Sequence, residues 1–455
     1  MQLEVIILAA GQGTRMQSNL PKVLHPLAGR ALLEHVLWAA QSLDPKHIHV
    51  VIGHGSEQVQ EQLSAYAVNW VIQHEQLGTG HGVLQALPSV ATDSTVLVLY
   101  GDVPLIRSET LATLTARADS GPALLTAHVA DPVGYGRILR DENAALSGVV
   151  EHKDATDEQR AITEINTGLL AAPAGDLLEY LPQVRNDNKQ GEYYLPDILS
   201  MSVEAGKPVA TVTVQSELEV LGVNDRQQLN QLEREYQRLQ AEYLMRAGVS
   251  LADAGRIDIR GDLSCATDVS IDINVVIEGE VSLAEGVTIG ANCVLRDVEV
   301  GAGTTIHPMS HLEGAAVGER CQVGPYARLR PGTVLADGAK VGNFVETKKA
   351  RVGAGSKINH LSYVGDSSLG ERVNIGAGTI TCNYDGINKH KTEIDDGVFI
   401  GSNSTLVAPV HIEAQGFVAA GSTVTKDVKE DELAVGRGRQ RNISGWQRPS
   451  KQSED

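Results

Sequence analysis

Between Arg256 and Val424 an aliphatic side chain recurs at every sixth position. Ile257, Leu263, Val269, Val275, Val281 and Val287 form one track, and Ile394, Ile400, Leu406, Ile412, Val418 and Val424 form another. Many of these aliphatics precede a glycine, as in Ile289-Gly290, Val323-Gly324, Val341-Gly342, Ile375-Gly376 and Ile400-Gly401. A period of six matches neither the 3.6 of a helix nor the simple alternation of an antiparallel meander. It predicts a parallel β-helix in which short strands build each triangular coil. One apolar residue per hexad points into the prism, and the glycine relieves the corner. The polar stretch 381–393 breaks the pattern and is expected to leave the coil as a loop.

The first 226 residues follow a different rhythm. Buried-strand runs at residues 5–8, 49–52 and 96–100 are each followed by a polar turn and a helix-like segment. Such alternation predicts a doubly wound, Rossmann-like α/β domain with its ligand at the carboxyl ends of parallel strands. Residues 227–247 contain neither glycine nor proline, and Leu229, Leu232, Tyr236, Leu239 and Tyr243 repeat at three-four spacing. One long amphipathic helix is expected there, either a short coiled coil or a connector lying against its own domains, and a seam of only about three heptads favours the connector. The expected organisation is thus 1–226, a linker helix at 227–248, and a β-helix with its tail at 249–455.

Composition narrows the chemistry. Of 455 residues 46 are glycine, and most of these belong to hexad corners; aromatics make up 4%, as an aliphatic prism requires. A net charge of −19 argues against nucleic acid as a partner, since phosphate backbones demand basic surfaces. The 4 cysteines (Cys265, Cys293, Cys321 and Cys382) lack CxxC spacing and are expected to be free thiols in a reducing compartment. Met1 leads directly into a strand-like run, which leaves no room for a signal peptide, and no apolar stretch approaches the roughly 20 residues of a membrane span. A cytoplasmic protein is expected.

The chemistry-bearing motifs lie in both halves. Leu8-Ala9-Ala10-Gly11-Gln12-Gly13-Thr14-Arg15-Met16 follows the first strand, and Pro21-Lys22 comes soon after. Glycines at 11 and 13 let backbone amides approach a triphosphate, while Arg15 and Lys22 supply fixed cations. The pattern is neither a Walker loop nor a dinucleotide Gly-x-Gly-x-x-Gly. It resembles the sugar-phosphate nucleotidylyltransferases. Gln73 with Leu77-Gly78-Thr79-Gly80 suits a base-reading loop. Tyr100-Gly101-Asp102-Val103-Pro104 ends an apolar strand, where a metal-binding carboxylate belongs. Gly134-Tyr135-Gly136-Arg137, Glu151-His152-Lys153-Asp154 and Asn166-Thr167-Gly168 follow in that family's order.

In the prism, the polar residues that break the hexads are the informative ones. Arg328-Leu329-Arg330 and Thr347-Lys348-Lys349 place cations where a phosphate can sit. The run from Asn359-His360 to Tyr363 sets a histidine beside an inward track, near Asn374 and the protruding Asn383-Tyr384-Asp385-Gly386. A hexapeptide domain with one such histidine resembles the acyl-CoA-dependent acetyltransferases. An imidazole of ordinary pKa near 6.5 suits a general base at cellular pH. The basic tail, with Arg437, Arg439, Arg441, Trp446 and Arg448, is expected to dock on a phosphate or a neighbouring subunit.

Taken together, essentially the whole chain resembles the bacterial bifunctional N-acetylglucosamine-1-phosphate uridylyltransferase/glucosamine-1-phosphate N-acetyltransferase family. The resemblance implies a left-handed β-helix, a homotrimer formed through it, and synthesis of UDP-N-acetylglucosamine for peptidoglycan and lipopolysaccharide. It further implies Mg²⁺ on Asp102 and Asn224, with UTP and acetyl-CoA as co-substrates. Contacts to the nucleotide sugar fall by resemblance on Leu8, Ala9, Ala10, Gly11, Lys22 and Gln73. They continue on Gly78, Thr79, Tyr100, Gly101, Gly136, Glu151 and Asn166. In the prism the resemblance makes His360 the base. It assigns Arg330, Lys348, Tyr363 and Asn374 to glucosamine 1-phosphate, and Ala377, Asn383, Tyr384, Ser402, Ala420 and Arg437 to the acyl donor, leaving Arg437 and Arg439 as alternatives for coenzyme A. A competing reading is a nucleotidylyltransferase for another sugar whose β-helix is structural or regulatory. A scaffold with a vestigial N-terminal site is the third. The His360, Tyr363 and Asn383-Tyr384 set discriminates, because a purely structural solenoid does not need it.

Overall fold

The computed structural model describes residues 2–449, and the chain divides into two compact units, Met1–Tyr236 and Gln237–Asp455. Met1, on which the expectation of no leader rests, lies outside the described residues, as do residues 450–455 of the expected second domain. Among the described residues no helix is long and apolar enough to cross a membrane.

The first unit is an α/β layer structure. Its main sheet runs in the order Ala210–Thr213, Ala123–His128, Glu164–Pro173, Thr95–Tyr100, Leu3–Ala9, His47–Ile52, Asn69–Ile72. Leu3–Ala9 pairs in parallel with both His47–Ile52 and Thr95–Tyr100, as expected for the three strands read from sequence. Glu164–Pro173 runs antiparallel to its neighbours, so the sheet is mixed. Along Leu3–Ala9 the buried residues alternate between faces. Val5 and Ile7 pack with Leu33, Val36 and Leu37 of the helix Leu32–Gln41. Ile6 packs on the other face with Val83 and Ala86 of the helix Thr79–Ala86. Both faces are therefore covered, which explains why these strands read as unbroken apolar runs.

The second unit is the predicted prism. One sheet of 11 strands forms one wall, and a second, of 13 strands, supplies the others by bending. Its first strand, Ile257–Cys265, turns at Gly261, whose φ of +148° and approach to Gly279 admit no side chain. Partners are one coil apart, as with Ile257 and Val275. Both sequence tracks line the core, except that Leu263 is only partly buried. The prism exceeds the hexad reading at both ends. Ser250–Leu251 opens it by pairing with Ser270–Ile271, and Leu433–Ala434 closes it against Phe417–Val418. The latter strand was hidden because residues 425–432 break the period. The expected loop is narrower than 381–393: Ile380–Cys382 and Thr392–Ile394 are strands, so only the residues between them leave the coil.

The long helix spans Arg226–Arg246 and is followed by Gly248 with φ of +96°, a left-handed stop. Within the first unit Leu232 packs with Met16 and Val223. Within the second, Ala241 and Leu244 join the prism core, whereas Tyr243, read as part of the stripe, is exposed. Gln237 takes part instead: its side-chain amide both donates to and accepts from the backbone of Ile259, at 2.8 Å each way. A side chain here completes the hydrogen bonding of the first coil's edge.

The closeness of the coils yields a stability prediction. A Cβ on Gly342 would lie 2.0 Å from the carbonyl oxygen of Asn359. Gly342→Ala should lower the unfolding free energy of the prism by about 2 kcal/mol or more. Gly438→Ala, in open space, should stay within about 0.5 kcal/mol of the parent chain. Denaturant melts of the two variants compare these directly, and equal stabilities would refute the packing argument.

Candidate functional site

Because Leu8 stands beside Tyr100 in the sheet, the loops after these two strands emerge side by side. They enclose a cavity of about 290 Å³ lined by Leu8, Ala9, Ala10, Gly11, Lys22, Gln73, Gly78, Thr79, Tyr100 and Asp102, all sequence candidates. Gly11 faces open space, whereas Gly13 holds a left-handed φ of +63° with Lys22 against it. Gly101 packs on Ala9 and Leu33 behind the wall. Arg15 is exposed on the short turn Thr14–Met16 and does not line the cavity.

The charged end of the cavity is a three-residue cluster. The Lys22 ammonium donates to the Asp102 carboxylate and, at 3.4 Å, to the Asn224 side-chain oxygen. Asn224 is brought there by the amide of Val223, which donates to the Asp102 carbonyl at 2.9 Å. Two oxygen ligands therefore already converge on a cation. The opposite end is shaped by a segment that sequence reasoning missed. Tyr193 exchanges backbone hydrogen bonds with Leu77 and Gly80, at 2.8 and 2.9 Å. This pairing puts Glu192 into the cavity wall, and Gly78, with φ of +110°, lies so close to Tyr193 that no Cβ fits. Val23, Gln76 and Gly82 also line the wall unpredicted. The place of Gln76 directly before Leu77-Gly78 was an available signal; nothing in the sequence points to Glu192.

Gly136, Glu151 and Asn166 form a neighbouring cluster rather than part of that wall. Gly136 pairs with Asn166 across the sheet, and a Cβ on Gly136 would sit 3.0 Å from the Glu151 carboxyl. Gly168 lies under the Tyr100 ring, where a Cβ would meet it at 2.4 Å. Burial, then the Glu151 charge, push the Tyr100 hydroxyl pKa up, and its bond with Thr79 opposes this. Burial first, then Asp197 and Asp154, raise the Glu151 carboxyl above its ordinary range. Asp197 itself is raised to about 6 by burial and by Asp187 and Asp154. Glu151 and Asp197 share a second cavity of about 240 Å³ with Asp154, Asp187, Arg185 and Tyr194.

In the prism, the coil spacing assembles the second set. Leu361 donates to the carbonyl of Asn343, Gly378 to that of His360, Asn403 to that of Ala377, and Gly421 to that of Ser402. His360, Ala377, Ser402 and Ala420 thus rise in one column along a corner, and the Arg437 guanidinium reaches the Ala420 carbonyl at 2.7 Å. The exposed His360 ring is held by Asn343, whose side-chain oxygen lies 2.6 Å from Nδ1. An accepting oxygen there places the proton on Nδ1 and leaves Nε2 as the basic nitrogen. Asn343 was missed because it lies 17 residues upstream, one coil away.

Beside this column Lys348 stands level with Gly365, and Glu346 with Tyr363. Lys389, on the protruding loop, and then Arg330 push the Lys348 ammonium pKa below its usual value. Three crowded cations make an anion site, and Lys389 is its unpredicted member. Arg330 is also held by Glu346 at 2.8 Å. The Asn383 amide donates to Asp366, and the Tyr384 hydroxyl donates to the Gly386 carbonyl within the loop. Asn374 lies on the other wall, level with Lys357 and Phe399 and three residues before Ala377.

Comparison with known proteins places both units. A MobA-like NTP transferase domain matches residues 5–163, and a GMPPB C-terminal domain matches residues 259–360. The chain is 58% identical to the bifunctional protein GlmU of Marinobacter nauticus over 450 residues, 99% of each chain. It is 58% identical to that of Alkalilimnicola ehrlichii over 447 residues, covering 98% of this chain and 96% of the relative. With the GlmU of Cellvibrio japonicus it shares 55% identity over 452 residues, 99% of this chain and 100% of the relative.

The raised Asp197 carboxyl carries a pH prediction. Its folded pKa lies above its unfolded one, so protonation favours the folded state. This stabilisation is complete below about pH 4 and is lost as pH rises through about 6. Asp197→Asn should flatten the stability profile of the first unit between those limits. It should also raise stability near pH 7 by on the order of 1 kcal/mol, after allowing for solvent screening of a partly exposed group. Unfolding curves across that pH range test this; an unchanged profile would refute it.

Proposed function

The chain belongs to the family of bifunctional GlmU proteins, and from that membership we infer that it makes UDP-N-acetylglucosamine by two transfers. It is a glucosamine-1-phosphate N-acetyltransferase and an N-acetylglucosamine-1-phosphate uridylyltransferase, acting in cell-wall precursor synthesis. We assign uridylyl transfer to residues 1–226, acetyl transfer to residues 249–455, and the role of connector to 227–248. The observation that carries the reading is the presence of two separate sites with no residue in common.

In uridylyl transfer a sugar 1-phosphate oxygen attacks the α-phosphorus of UTP and pyrophosphate departs, so charge must be stabilised rather than a nucleophile supplied. A Cβ on Gly11 would meet nothing within 4 Å, so phosphate oxygens have room to approach the backbone there. Asp102 and Asn224 suit Mg²⁺: one carboxylate and one amide oxygen leave room for substrate phosphates, and both already face a cation in Lys22. Mg²⁺ would neutralise charge developing on the phosphates. Lys22 is then available to the triphosphate, and Arg15, exposed on the turn that follows Gly13, is the further cation of this loop. Gln73, Gly78 and Thr79 suit the base. Gly136, Glu151 and Asn166 suit the sugar, whose hydroxyls a carboxylate and an amide bind well.

In acetyl transfer the amine of glucosamine 1-phosphate loses a proton as it attacks the thioester. His360, held through Nδ1 by Asn343, accepts that proton at Nε2. Ala377, one coil on, supplies the amide for the oxyanion. Arg330 and Lys348, joined by Lys389, bind the phosphate, while Tyr363 and Asn374 orient the sugar. Ser402, Ala420 and Arg437 continue the column along which acetyl-CoA would lie, and Asn383 and Tyr384 flank it. The Arg437–Ala420 contact favours Arg437 over Arg439 for coenzyme A. The four cysteines form no disulfide, in keeping with a cytoplasmic location.

Separate sites predict separable defects. Asp102→Ala should abolish uridylyl transfer and leave acetyl transfer within about twofold. His360→Ala should lower acetyl-transfer kcat by roughly 10²–10⁴-fold with little change in KM for glucosamine 1-phosphate. Assaying both reactions on both proteins checks this, and loss of both activities in either folded variant would refute the separation.

A homotrimer is the expected assembly. Met309, Tyr326, Phe344 and Leu361 form an apolar ridge, 45, 51, 54 and 62% exposed, next to the His360 column. Each holds a left-handed φ, between 50° and 62°, that bulky side chains rarely adopt. Tyr326 and Phe344 stack at 5.2 Å. Such a ridge suits a subunit contact, with the acetyl-transfer cleft between copies. Sedimentation of the full chain should give three copies, and Phe344→Lys with Leu361→Lys should lower the mass. A fully active monomer would refute it.

A further inference from the structure

The bulkiest fully buried side chain of the described residues is cationic. Arg137 is 1% exposed, and it forms no ion pair within 4 Å among the described residues. Its guanidinium instead binds neutral acceptors: the carbonyl of Tyr135, the carbonyl of Arg160 at 3.3 and 3.4 Å, and Nδ1 of His152 at 3.4 Å. Withdrawing a charge from water without an ion pair is expensive, and a hydrophobic side chain of similar volume is often at least as stabilising. Packing alone therefore gives no reason for an arginine here.

What the three acceptors share is position. Tyr135 precedes Gly136, and His152 follows Glu151. Arg160 ends the helix Asp157–Arg160 that follows the 151–156 turn. One side chain thus ties the backbone beside Gly136 to the ring of His152 and to the Arg160 backbone on the Glu151 side. Burial and then the Arg160 charge lower the Arg137 pKa, and Asp131 followed by Glu151 oppose them. The acidic groups acting on Glu151 are Asp197, Asp154 and Glu192. Asp187 and the cation Arg185 line the same cavity, and the Asn166 amide is hydrogen-bonded to Glu151. The Tyr100 hydroxyl lies within electrostatic reach.

We propose that Arg137 is the positioning residue of the sugar subsite: its fork fixes Gly136 against Glu151, and its charge lies within electrostatic reach of the carboxylate that accepts sugar hydroxyls. This rests on the reading that Gly136, Glu151 and Asn166 hold the sugar. Arg137 does not line the cavity around Gly11, Lys22 and Gln73, so its loss should act on one substrate of the two.

The test measures uridylyl transfer by the full chain across pH 5–9, varying each substrate in turn. Arg137→Met should raise KM for N-acetylglucosamine 1-phosphate by roughly 10–100-fold while KM for UTP moves less than about threefold. The sign for the acid limb follows from charge. Without the cation the Glu151 pKa rises, so kcat/KM for the sugar phosphate falls away at a pH higher by about one unit. Arg137→Lys keeps the charge and loses the fork, so it should raise the sugar KM but leave the limb in place. The sugar phosphate titrates identically with every variant, so differences between limbs belong to the protein. Equal loss for both substrates, or an unmoved limb in Arg137→Met, overturns the proposal. If Arg137→Met does not fold, an unchanged sugar KM in Arg137→Lys overturns it equally. Glu151→Gln tests the underlying reading by itself: if sugar KM and acid limb both stay as in the parent, the sugar does not lie against Glu151.

Discussion

A single hydrogen-bonding constraint places the candidate acetyl-transfer residues. Each amide at the prism corner must give its proton to a carbonyl one coil back, as Leu361 does to Asn343 and Gly378 to His360. An unmade bond of this kind inside the protein costs more than a made one returns, so the coils cannot slip. Side chains of equal rank therefore stack, and residues 17 or more positions apart become neighbours. The histidine, its orienting asparagine and the candidate acyl-donor residues stand in line for this reason alone. Close stacking imposes backbone strain at the corner, where bulky residues hold left-handed φ, and it sets an apolar ridge beside the His360 column.

The first unit applies parallel pairing differently. Its candidate site is at strand ends rather than along strand sides. Leu8 beside Tyr100 brings two loops together, and the amide of Gly101 donates to the Leu8 carbonyl at 2.9 Å. Everything charged then depends on side chains projecting from those loops, and they need bracing from elsewhere. Val223 braces Asp102, Tyr193 braces the 77–80 loop, and Arg137 braces the turns around Gly136 and Glu151. In the prism the scaffold is itself the brace.

The electrostatics of the two sites differ accordingly. The first gathers acidic groups, with Glu151 and Asp197 both raised by burial and then by neighbouring carboxylates, and pairs Asp102 with Lys22. The second crowds Arg330, Lys348 and Lys389 on an open surface, and Lys348 is depressed by its neighbours. A nucleotide with its cation suits the former, and a bare phosphomonoester the latter.

The sequence by itself determined the two architectures and most of the wall of the cavity between the first unit's strand-end loops. Hexad periodicity reports inward side chains directly, and Gly-rich or Asp-bearing turns after apolar runs report strand ends. It marked His360 and Lys348 as exceptions to the pattern. It could not reveal Asn343, Glu192, Lys389 or the buried role of Arg137, since each acts on a partner reached only after the chain has folded back. Nor did it show the strand Leu433–Ala434, where an insertion breaks the period, or that Tyr243 faces solvent while Gln237 faces the prism. Pattern follows the local chain, whereas hydrogen-bond partners and electrostatic neighbours are distances in space, and only the tertiary structure decided those.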